Sequence, residues 1–181
     1  MHRPVSAARA AFAIALAAGA LSAIPGAPAS AVTVNSCATL QGSATFTPGI
    51  KSTASDQVIK VRGNTSGCTP SKATGGSGAV VATIKSPKAS CKKLIKGGQT
   101  LKGTARATWK NKKTTTFNIV LKTGTGGQAT VATITGSATA GLFKGKAVTG
   151  QVKFTVKAGQ NCATVPVKNL TFTSTKPFAL H

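Results

Sequence analysis

Gly103-Thr-Ala-Arg-Ala-Thr-Trp109 is followed by Thr114-Thr-Thr-Phe-Asn-Ile-Val-Leu121 and, past the glycine turn Gly124-Thr-Gly-Gly127, by Ala129-Thr-Val-Ala-Thr-Ile134. Each segment alternates apolar with polar residues and is rich in β-branched side chains. A period of two is the signature of half-buried strands, because successive side chains point to opposite faces. Ala105, Ala107 and Trp109 share one face, as do Phe117, Ile119 and Leu121. This stretch predicts three consecutive antiparallel strands with the only tryptophan at their first turn.

The same style extends in both directions. Ser43 to Thr47 reads as a strand with Ala44 and Phe46 inward, ended by the turn Pro48-Gly49. Gln57 to Arg62 follows, with Ile59 and Val61 inward. Gly63 to Gly78 reads as a loop pinned by Cys68, with a glycine-rich mobile tip from Gly75 to Gly78. Ala79 to Lys85 is a third strand, broken by Ser86-Pro87, and Ala89 to Lys96 reads as one helical turn carrying Cys91. Beyond the central stretch, Gly141 to Gly145 is a turn with an apolar plug. Lys146 to Lys157 alternates most clearly of all, and Gly150 within it predicts a bulge or close packing. Asn169 to Ser174 is the last strand, with Leu170 and Phe172 inward, and Pro177 to His181 reads as a tail. About eight short strands between turn signals predict an all-β fold: an antiparallel two-sheet sandwich, immunoglobulin-like or jelly-roll-like, with a barrel as the alternative. Val81-Ala-Thr-Ile84 and Leu94-Ile-Lys-Gly97 recur as Val131-Ala-Thr-Ile134 and Leu142-Phe-Lys-Gly145. Either a unit is duplicated, or similar strands share a composition.

Residues 1–31 read as a cleaved secretory signal. His2, Arg3 and Arg9 precede an Ala-rich apolar run, Ala10 to Ile24, too short to remain as a membrane span. Pro25 and Pro28 end it, and Ala29-Ser30-Ala31 supplies the small residues of a cleavage site. Residues 32–181 are then a single exported domain, with no later run able to cross a bilayer as a helix. Cys37, Cys68, Cys91 and Cys162 are an even count in that context and predict two disulfides. Cys37 lies before the first predicted strand and Cys68 after the second. An antiparallel pair brings both to one end, which favours Cys37–Cys68 and, by elimination, Cys91–Cys162.

The chain has 23 lysines and arginines against one acid, Asp56, for a formal charge of +22. Beyond the cut the only arginines are Arg62 and Arg106, and the only histidine is His181. Proton-shuttling chemistry has little to work with. No carboxylate pair exists for glycoside hydrolysis, and a Ser-His-Asp arrangement needs Asp56 and a terminal histidine, expected to fray, to meet a serine. No cysteine–histidine spacing suits a metal, and the glycine runs are hairpin turns rather than nucleotide-binding loops. The reading is a protein that is no enzyme and carries no cofactor.

Charge of this size exceeds what solubility requires and repels itself, so it points to an anionic partner. Ten basic residues fall between Lys85 and Lys113 without an interrupting acid. With Ala105, Ala107 and Trp109 inward, Lys102, Arg106 and Lys110 point outward, and the tip residues Lys112 and Lys113 extend that face. These five are the candidate polyanion-binding residues. Their expected partners are anionic polymers of the cell envelope or extracellular matrix, bound diffusely by a monomer held at or near the cell wall. Sequence-specific nucleic-acid readout is disfavoured because it leans on arginine forks. A secreted protein-interaction or protease-inhibitor domain presenting Lys88 to Lys96 is the alternative. A small-ligand carrier is a third class, but nothing polar within the apolar pattern marks a pocket.

Ser36-Cys-Ala-Thr-Leu-Gln-Gly42, Phe46-Thr-Pro-Gly49, Trp109 and Gly141-Leu-Phe-Lys-Gly145 with Gly150 resemble small secreted β-rich proteins of high-GC Gram-positive (actinobacterial) bacteria. The resemblance spans most of the chain beyond the signal. It implies a β-rich exported fold; it implies no activity and carries no functional residues.

Overall fold

The alternating segments form eight antiparallel strands in chain order, and the last pairs with the first. The computed structural model describes residues 33–126, 130–160, 162 and 164–181. The expected export signal lies outside the described residues, as does Ala129 at the head of the third central segment. The strands are β1 (Asn35–Ile50), β2 (Ser55–Thr69), β3 (Ser77–Ala89), β4 (Thr100–Trp109), β5 (Thr114–Thr123), β6 (Val131–Gly141), β7 (Ala147–Val156) and β8 (Val167–Leu180). Two short helices interrupt them, α1 (Ser71–Thr74) between β2 and β3 and α2 (Cys91–Lys96) between β3 and β4.

The expected two-sheet sandwich is therefore corrected to one closed barrel, the alternative the strand count allowed. Closure comes from strands longer than the sequence signals suggested. Pro48, Pro87 and Pro177 were expected to end strands or begin a tail. Each instead lies inside a strand, near a break in the hydrogen-bond ladder: between Thr45 and Ile50 of β1, opposite the shift from Ser55 to Gln57 of β2, and opposite the shift from Thr149 to Gln151 of β7. A proline lacks the N–H a ladder needs and is tolerated where the ladder is already broken by a bulge. The bends let β1, of 16 residues, and β8, of 14, curve round to meet. Likewise the segment Gly63–Gly78 is mostly not a loop. β2 runs on to Thr69, paired with β1, and β3 already starts at Ser77. Gly150, expected to mark a bulge or close packing, lies opposite a register shift whose extra residue is on β8, between Lys176 and Ala179.

Inward positions are mostly apolar, with Gln57, Thr65 and Thr115 buried among them, and outward ones are mostly Lys, Thr, Ser and Asn, with Val58 and Val81 exposed. A membrane-spanning barrel has the reverse pattern, with its apolar band outside. The barrel has two unlike ends. At one, Trp109 and Phe117 are about 1% exposed, and Trp109 meets Phe143 edge-to-face at 5.7 Å between ring centres. The apolar plug expected in the Gly141–Gly145 turn is this Phe143. The Trp109 indole donates to Thr115 Oγ1 at 2.9 Å, so the buried N–H is satisfied. The Thr65 hydroxyl donates to the Gly78 carbonyl, and Gly76 N–H donates to Thr74 Oγ1. α1 lies at this closed end. His181 is not frayed here: its backbone exchanges hydrogen bonds with Ala147, and its ring lies within hydrogen-bond distance of Thr149 and Thr33.

The Cys37–Cys68 and Cys91–Cys162 disulfides are both formed. Cys37 and Cys68 do not flank their strands but are direct cross-strand partners within β1 and β2. With sequence separations of 31 and 71, each bridge stabilises by about 4 kcal/mol on a chain-entropy account. The shared Val-Ala-Thr-Ile segments occupy β3 and β6. The shared Leu-x-Lys-Gly segments differ: one ends α2 and the other forms the β6–β7 turn.

Candidate functional site

The outer face of β3, β4 and β5 is built by strand parity. Lys102, Arg106 and Lys110 are exposed on the side opposite the buried Ala105, Ala107 and Trp109. The antiparallel register sets Lys102 directly opposite Lys85 on β3, and Thr100, two residues away, opposite Lys122 on β5. Lys102 thus has one lysine across the ladder and another on the diagonal. Like charges directly opposite destabilise a strand pair by about 0.2–1 kcal/mol. Arg106 lies between Val81 and Thr116, and Thr104 between Thr83 and Asn118.

The β4–β5 turn continues the face. Lys112 N–H donates to the Trp109 carbonyl and Trp109 N–H to the Lys113 carbonyl, both at 2.9 Å, closing the loop around Lys110 to Lys113. Asn111 holds it on both sides: its side-chain amide donates to the Ala73 carbonyl at 2.7 Å, and its Oδ1 accepts from Lys113 N–H. Lys112 sits at φ 67°, a left-handed conformation that favours glycine or asparagine. The structure thus places all five predicted residues in solvent on one continuous side. Lys102 lies towards one end of the barrel, and Lys110, Lys112 and Lys113 lie at the other, closed end.

Asp56, the single acid, lies at the start of β2 and accepts from Lys88 N–H at 2.9 Å. His181 lies at the end of β8 beside Ala147, at the closed end, so the length of the barrel separates the two. Among the described residues no three His, Cys, Asp or Glu side chains come together. The helical turn expected around Cys91 is present as α2, Cys91 to Lys96.

The interior holds what the sequence did not mark. Ala44, Ala82, Ala105 and Ala132 face inward on four strands, and among their short side chains and Phe46, Phe117, Ile119, Ile134 and Phe172 lies a cavity of about 160 Å³. No polar residues within the apolar pattern mark a small-ligand pocket, yet a pocket is present and nearly all apolar. The available signal was alanine at inward parity on four strands.

Exposure rises along the cavity towards the end away from Trp109. Ala105, Ile119 and Val152 are buried, whereas Leu101, Leu121 and Phe154 are half-buried. α2 crosses this open end and is fastened at three points: Cys91 N–H donates to the Lys51 carbonyl, Cys91 is bridged to Cys162, and Gly98 N–H donates to the Gly124 carbonyl.

No family model, no curated protein and no solved structure matches the chain.

Proposed function

We propose that the protein is a non-catalytic, exported, cationic β-barrel that associates electrostatically with anionic polymers of the cell envelope. The observation that carries this reading is the cationic ladder on β3–β5. Lys85 faces Lys102, Lys122 lies on the diagonal, and Lys112 keeps a lysine where glycine is easier to accommodate. A surface selected only for solubility has no reason to stack like charges across a ladder. A polyanion laid over the face offsets their repulsion. Lysine is a hydrated point charge, so the association is diffuse, multivalent and salt-dependent rather than a geometric fit.

Other features support the remaining parts of the reading. Two disulfides suit an oxidising compartment. Asp56 and His181, the acid and the histidine among the described residues, lie towards opposite ends of the barrel. The test is retention on a polyphosphate or acidic-polysaccharide matrix. Replacing Lys102, Arg106, Lys110, Lys112 and Lys113 together by Gln lowers the eluting salt concentration more than replacing Lys144, Lys146, Lys153, Lys168 and Lys176. Equal losses assign retention to net charge and remove the face; no retention of the parent protein at low salt removes the function.

A further inference from the structure

We propose that the barrel interior is a binding site for a small apolar molecule bearing one anionic group, such as a short-chain carboxylate amphiphile, which enters beneath α2. The site is separate from the outer cationic face. An eight-stranded barrel is just wide enough either to be filled by its own side chains or to hold one small ligand. Here filling is incomplete, because four strands present alanine to the interior, and about 160 Å³ remains. A cavity of about 150 Å³ lined by aliphatic and aromatic side chains stays dry and accepts a benzene-sized guest. The ligand is therefore about the size of a single ring or a short acyl chain.

The polar lining is confined to the open end, where it comprises Ser86, Ser90, Lys93, Gln99 and Thr123. Most of these are already engaged. Ser90 Oγ accepts from Lys93 N–H, Thr123 Oγ1 accepts from Gln99 N–H at 2.8 Å, and the Gln99 amide donates to the Gly97 carbonyl. Lys93 is the one charged side chain among the described lining residues. Its residue is exposed, so its alkyl stem borders the mouth while its ammonium stays in water. A ligand lying tail-inward brings its head to that ammonium. Ile95, 71% exposed on the same helix, gives the mouth an apolar outer edge.

The test is a methyl-resolved NMR titration with octanoate, octanol and octylamine, which share a tail and differ in head. All three should perturb the methyls of Ala44, Ala82, Ala105 and Ala132, with octanoate bound about fivefold more tightly than octanol and octylamine most weakly. Lys93→Gln, a surface change that leaves the core intact, should bring octanoate down to octanol and leave octanol unchanged. Ala132→Leu should abolish all three; should that variant not fold, the parent and Lys93→Gln titrations still decide. Shifts confined to surface lysines, or no binding up to the solubility limit, overturn the site. Octylamine binding as well as octanoate overturns the anionic head.

Discussion

Replacing Lys102 by Glu should stabilise the protein while weakening its hold on polyanions. Lys102 and Lys85 are direct ladder partners, and Lys122 is diagonal to Lys102. Two unit charges about 5 Å apart in water interact by about 0.8 kcal/mol, so reversing one changes the pair by about 1.6 kcal/mol. Screening reduces that to about 1 kcal/mol at 0.1 M salt and to about 0.3 kcal/mol at 1 M. For a domain of this size about 1 kcal/mol raises Tm by roughly 2–4 °C. The assay is thermal unfolding of the parent and Lys102→Glu at both salt concentrations. Arg106→Glu is the control, because it lowers net charge by the same two units on the same face but lies opposite Val81 and Thr116. Lys102→Glu should gain at least twice as much as Arg106→Glu at low salt, and the difference should shrink to about a third at high salt. Equal gains, or a gain indifferent to salt, would refute the pairwise repulsion on which the cationic face rests.

Other perturbations test the fold and the face separately. Lys112→Gly relieves a left-handed lysine and should stabilise by about 0.5–1 kcal/mol in denaturant unfolding while lowering matrix retention. Phe143→Ala removes the ring packed on Trp109 and should cost about 3 kcal/mol, with a change in Trp109 emission as the closed end is opened. Trp109→Phe keeps most of the ring but takes the donor from the fully buried Thr115 hydroxyl, a loss of about 1–3 kcal/mol by calorimetry. Gly42→Ala should prevent folding or cost several kcal/mol, read as loss of soluble protein. The added Cβ collides with the Arg62 carbonyl and lies 2.8 Å from the Phe172 ring.

Side-chain parity was legible from sequence because it is local. The inward Phe46, Ile59, Phe117, Ile119 and Leu170 follow from alternation alone, and so does the outward Lys102–Arg106–Lys110 row. The disulfide pairing was legible because two antiparallel neighbours bring their cysteines together, although Cys37 and Cys68 lie inside the strands. What alternation could not convey was how far a strand continues through a proline. Pro48, Pro87 and Pro177 look like breaks from sequence, and only long-range pairing shows that the chain bends there and goes on. The closing contact, Asn35 with Leu180, joins opposite ends of the described chain and leaves no local trace. The cavity was missed for a related reason. Ala44, Ala82, Ala105 and Ala132 are each unremarkable in their own strands, and only closure brings them round one cavity.

The central claim is that a rigid barrel carries its lysines for an anionic polymer. It is tested most directly by the equilibrium affinity for linear polyphosphate across a salt series. The account predicts a straight fall of log K with log salt concentration, with a slope corresponding to several released counterions and shallower in the variant with Gln at Lys102, Arg106, Lys110, Lys112 and Lys113. An affinity flat with salt, or a slope unchanged in that variant, would contradict it.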